Sequence, residues 1–80
     1  MADKITFAKD VLKLAKQKQE FLEEFKGEPK FKKLLNIDRK DLEFIFDMVV
    51  EDDVNTYRIC IITEGIIPEL ESYEIVEKLS

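Results

Sequence analysis

The chain has no histidine, no tryptophan, one cysteine, two glycines and two prolines. Without histidine, the commonest general base, metal ligand and pH switch is missing, and no Ser/His/Asp or Cys/His catalytic set can form. One cysteine excludes an internal disulfide and any multi-cysteine metal site. Gly27 and Gly65 stand alone, so no glycine-rich phosphate loop is present. No run of ~18 apolar residues occurs, which argues against a membrane-spanning helix. Met1-Ala2-Asp3-Lys4 does not combine a basic region with an apolar run. No secretory signal is therefore expected, and the cytoplasm is the expected compartment.

What is present is charge. Thirteen basic and eighteen acidic residues in a chain of 80 give a net charge of −5. Residues 1–40 hold eleven basic and seven acidic residues (+4), and residues 41–80 hold two basic and eleven acidic (−9). Such a split either draws the two halves together in the fold or displays one sign to a partner. The abundance of Lys, Glu, Ile and Phe suits an AT-rich genome, such as that of a low-GC bacterium or its phage. Eighty residues make one domain with a small core, in which each large apolar side chain counts.

The most ordered pattern lies between residues 42 and 63. Leu42, Phe44, Phe46, Met48 and Val50 alternate with Glu43, Ile45, Asp47, Val49 and Glu51. After Asp52-Asp53-Val54-Asn55, Tyr57, Ile59 and Ile61 alternate with Arg58, Cys60 and Ile62. Period two with β-branched and aromatic residues predicts a β-hairpin. Pairing Glu51 with Thr56 sets Val50 opposite Tyr57, Met48 opposite Ile59 and Phe46 opposite Ile61. The competing reading is a helix over 38–51, but its apolar residues would spread around most of the circumference.

Residues 5–26 read as one long amphipathic helix, capped by Asp3 or Thr6 and ended by Gly27 and Pro29. Its lysines come early and its glutamates late, against the helix dipole. Lys18 falls inside its apolar stripe and would have to snorkel past the core edge or meet an acid. Residues 29–35 suggest a short second helix with Phe31, Leu34 and Leu35 on one face. After Gly65, Pro68 can open a final helix carrying Leu70, Tyr73, Val76 and Leu79 at spacing three. A short strand over Tyr73–Val76 is the alternative. The predicted fold is therefore α+β: helix, short helix, β-hairpin, helix, with a two-stranded antiparallel sheet packed on the long N-terminal helix.

The absence of catalytic groups points to a small non-enzymatic cytoplasmic protein that works by protein–protein interaction, as a regulator, inhibitor or assembly factor. Its candidate partner-binding residues are Glu51, Asp52 and Asp53 at the hairpin tip, with Phe31 and Tyr73 as aromatic anchors. The alternative is nucleic-acid binding through Lys9, Lys13, Lys16, Lys30, Lys32, Lys33, Arg39 and Lys40. No cofactor or metal site is expected: the acidic turn lacks the spacing and glycine of an EF-hand loop. Cys60, among isoleucines, is expected to be a small buried hydrophobe. A two-stranded sheet leaves free edges. Arg58, Ile59, Cys60, Ile61 and Ile62 are thus the expected edge of a homodimer that joins second strands into a four-stranded sheet.

Overall fold

The computed structural model describes residues 3–80. Two helices, α1 (Lys4–Lys16) and α2 (Gln19–Leu22), precede four strands: β1 (Lys30–Lys40), β2 (Glu43–Glu51), β3 (Thr56–Glu64) and β4 (Glu69–Lys78). The strands form one antiparallel meander in the order β1-β2-β3-β4. The two-stranded sheet expected from the sequence is therefore corrected to a four-stranded one, and no helix follows the hairpin. No helix of the described residues is long and apolar enough to cross a membrane.

The central hairpin has the register that its alternation predicts. Glu51 pairs Thr56, Val50 pairs Tyr57, Met48 pairs Ile59 and Phe46 pairs Ile61, without a bulge. The inner face of this pair meets α1. Ala8, Val11, Leu12 and Ala15 from the helix pack with Phe21 and Phe25 against Phe46, Met48, Val50, Ile59 and Ile61. Burying each large side chain contributes ~1.5–3 kcal/mol, so this layer carries most of the fold's stability.

The long helix breaks where continuing would bury a charge. Lys18 adopts an extended conformation (φ −92°, ψ 121°), which takes its ammonium group out of the apolar stripe. The break lets Phe21 and Phe25 turn inward, where Phe21 meets Tyr73 edge-on at 5.0 Å and Phe25 meets Tyr57 at 5.3 Å. It also eases the conflict with the helix dipole, although Lys4 still opens α1. Asp3 caps α1 by accepting from the Thr6 N–H, Lys13 and Lys16 fall in its last turn, and Glu20, Glu23 and Glu24 lie beyond it.

The outer strands explain the two mistaken helices. Along β1, Phe31, Leu34 and Ile37 all face the core at spacing three, because the register shifts between Phe31 and Lys33 and again between Leu34 and Asn36. Lys32 and Leu35 are the extra residues of two β-bulges. In β4, Leu70 and Tyr73 face inward with Glu71 as the extra residue between them, and a second shift, at Val76, follows Ile75. A bulged strand thus imitates the period of a helix. Val76 and Leu79, expected on a buried helix stripe, are 40% and 47% exposed.

Candidate functional site

The turns divide the sheet into two unlike ends. At one end the β2–β3 loop is clasped to the rest of the chain. The Asp52 carboxylate accepts from the backbone N–H groups of Val54 and Asn55 through one oxygen (2.8 and 2.7 Å) and of Lys26 through the other (2.8 Å). The Asp53 N–H donates to the Lys26 carbonyl, and Thr56 exchanges backbone bonds with Leu79 and Ser80. Desolvation pushes the Asp52 pKa up, but the N–H groups of Asn55, Lys26 and Val54 outweigh it and bring the carboxyl down to about 2. Gly27 sits beside this clasp with φ +92°, and a Cβ there would run into the Asp53 carboxylate.

At the other end the β1–β2 turn (Asp41, Leu42) and the β3–β4 turn (Gly65–Pro68) lie side by side, joined by the Gly65 N–H to the Leu42 carbonyl at 3.0 Å. Asp41 (φ 56°) and Gly65 (φ 99°) supply the left-handed backbone the two turns use. These turns display large aliphatic side chains: Ile66 is 86% exposed, Ile67 85% and Leu42 45%. Directly behind them, Glu43 pairs Glu64 and Glu64 pairs Glu69 across three strands. The bulge of β4 adds Glu71 to this row. Its carboxyl is raised above the ordinary range, first by desolvation, then by the charges of Glu43 and Glu64 and hydrogen bonds to them. Like charges directly opposite one another are destabilising. None of the four joins an ion pair among the described residues, although Lys40 stands across the sheet from Glu43. Open recesses flank the aliphatic group on both sides, one lined by Leu42 and Glu43, the other by Ile67, Glu69 and Glu71. No group of three or more potential metal ligands is present among the described residues.

The residues singled out from the sequence do not converge. Glu51, Asp52 and Asp53 sit at the clasped end: Glu51 is 3.6 Å from the Lys32 ammonium, and the Asp52 oxygens are taken up by the backbone. Phe31 and Tyr73 face inward against the core, so neither is a free anchor. Of the basic residues, Lys9 lies over the Phe31 ring, Lys16 pairs with Glu28, Lys32 with Glu51, and Arg39 donates to the Asp41 carbonyl. Lys13 is exposed on α1, and Lys30, Lys33 and Lys40 are exposed on β1. The charged halves do not neutralise each other: Lys32–Glu51 is the one ion pair that joins them among the described residues.

The stretch Arg58–Ile62 is not an edge. β4 pairs along β3 from Tyr57 to Glu64, so a dimer built by joining β3 strands is ruled out by a strand already in that place. Ile59 and Ile61 belong to the core. Arg58 makes a two-pronged bond to Asp47 (3.1 and 2.9 Å) on the opposite, uncovered face. Cys60 lies on that face too and is half-buried rather than buried. Its thiol is pushed up by desolvation and by Asp47 and Glu74, with Arg58 opposing. The aliphatic–acidic end was missed by the sequence reading, though Gly65-Ile66-Ile67-Pro68 carries a signal: two isoleucines bracketed by turn residues have no strand face to occupy. No family model, curated protein or solved structure matches the chain.

Proposed function

We propose that the protein is a non-catalytic binding protein that docks on another protein through the turn end of its sheet. The observation that carries this reading is the exposure of Leu42, Ile66 and Ile67 together, ringed by Glu43, Glu64, Glu69 and Glu71 without ion-pair partners. Singly exposed aliphatics are ordinary, whereas three on two hydrogen-bonded turns with a polar rim have the composition of an interface. The matching partner surface has an apolar recess bordered by lysine or arginine. Such a surface would relieve the crowding of the four carboxylates and gain on-rate from charge complementarity.

The test is affinity capture from cell extract with the wild type, Ile66→Ser/Ile67→Ser, Glu64→Lys/Glu71→Lys and the control Asp53→Lys, with nuclease treatment in parallel. A protein retained by the wild type and by Asp53→Lys, lost with the other two variants and unaffected by nuclease is the expected result. Equal retention by all four would refute the site. Binding to nonspecific DNA or RNA that falls steeply with salt and persists in the turn variants would instead favour the basic β1 side as a nucleic-acid surface.

A further inference from the structure

The face of the sheet opposite α1 carries no element among the described residues, and its charges are laid out in columns. Outward on β1 stand Lys30, Lys32, Lys33 and Lys40, interrupted by Asp38. Outward on β4 stand Glu69, Glu71, Glu74 and Glu77. Between them, on β2 and β3, Ile45, Val49, Cys60 and Ile62 surround the Arg58–Asp47 ion pair, whose guanidinium also reaches Glu77 at 4.0 Å. Val49 is only 7% exposed, while Leu35 and Val76, from the bulges on either side, are 42% and 40% exposed.

We propose that this face is the interface of a two-fold homodimer whose axis runs parallel to the strands. That axis turns the second copy over and lays its β4 on the first copy's β1, and the reverse. Each lysine column then meets a glutamate column, and Ile45 of one copy meets Ile62 of the other across the axis. An axis perpendicular to the strands, still in the plane of the face, would set lysines against lysines and glutamates against glutamates. Edge-to-edge two-fold pairing fails for the same reason. It is also blunted by the two bulges that each outer strand carries. Roughly twenty outward residues per copy are available, the number found on one side of a specific interface of ordinary size. Two sheets packed in this way cross at about −30°, so contact is closest along the central strands. Glu43 and Glu64 would meet their own kind near the turn end. This bounds the contact there and leaves both turn ends open on the same side of the dimer.

Sedimentation velocity on the full chain at low salt, from one to hundreds of micromolar, tests the proposal with two charge-reversed variants, Lys32→Glu/Lys33→Glu and Glu74→Lys/Glu77→Lys. The wild type should dimerise. Each variant alone should be monomeric, because the reversed positions then meet residues of their own sign across the axis. Their equimolar mixture should recover a dimer, because the reversed positions of one then meet residues of opposite sign on the other. Recovery also shows that both variants are folded, which circular dichroism checks independently. A wild type that stays monomeric throughout would overturn the proposal, whether or not a different protein occupies the face. So would variants that dimerise as the wild type does, or a mixture of folded variants that stays monomeric. Cys60 supplies a second readout: its alkylation should slow several-fold as wild-type concentration rises and should not depend on concentration in either variant. Concentration-independent alkylation of a dimeric wild type would place the interface elsewhere.

Discussion

Replacing Thr63 by valine should stabilise the protein. Thr63 lies on the inner face of β3, between Phe44 on β2 and Leu70 on β4, with none of its surface exposed. Its hydroxyl has no hydrogen-bond partner in the fold. A hydroxyl buried without a partner costs ~1–3 kcal/mol on mutational scales. Valine keeps the β-branched shape that suits a strand and puts a methyl group where that oxygen sits. A gain of ~1–2 kcal/mol follows after allowing for a slightly tighter fit. For a domain of this size that is ~4–8 °C in Tm per kcal/mol. Serine keeps the hydroxyl and loses the methyl, so it should cost ~1 kcal/mol. Alanine removes both and should be close to neutral. Urea unfolding with an unchanged slope is the assay, since a changed slope would mean an altered denatured state. The expected order is valine above wild type and alanine, with serine last. A valine variant less stable than the wild type would refute the reasoning and mean that the hydroxyl is satisfied in the folded protein.

Four further outcomes are expected. Asp52→Ala should free the β2–β3 loop. Because the folded carboxyl titrates at about 2, below its ordinary value near 3.8, the stability it adds is present above pH 4 and is lost as pH falls through about 2. Urea midpoints of wild type and variant should therefore differ at neutral pH and converge near pH 2. Glu71→Gln should have the opposite pH signature: with the carboxyl raised, its contribution is favourable below the unfolded value and lost as pH rises through the folded one. The variant should thus be the more stable at pH 7 and match the wild type in acid, and an NMR titration should place the Glu71 carboxyl above the ordinary glutamate value. Gly27→Ala should destabilise by more than ~1 kcal/mol, because the left-handed backbone and the Asp53 carboxylate both oppose a side chain there; thermal unfolding reads this directly. Phe46→Ala, at a fully buried position between α1 and the hairpin, should cost ~3–5 kcal/mol and leave the chain largely unfolded at 37 °C by circular dichroism.

Local chemistry was enough for the central hairpin and the start of α1. From Phe44 to Val50 and from Tyr57 to Ile61 a strict alternation meets a short polar loop, so side-chain period and loop length together leave one register in which the apolar faces coincide. Asp3 caps α1 through a bond to its own third neighbour, which a sequence can display. The outer strands were hidden because a bulge is decided by the strand it pairs with. Phe31, Leu34 and Ile37 repeat at three in the chain, and only against the unbroken Val50, Met48 and Phe46 of β2 do Lys32 and Leu35 become the extra residues. The helix break at Lys18 likewise has no glycine or proline to announce it. It follows from the cost of a charge against the core once the sheet is there. The candidate site shows the same division. Asp52 reads as a free acid until Lys26, twenty-six residues earlier, brings its N–H to the carboxylate. Leu42, Ile66 and Ile67 become one surface, and Glu43, Glu64, Glu69 and Glu71 one cluster, because the antiparallel meander puts alternate turns at the same end of the sheet. That neighbourhood belongs to the pairing of strands and is written in no single stretch of residues.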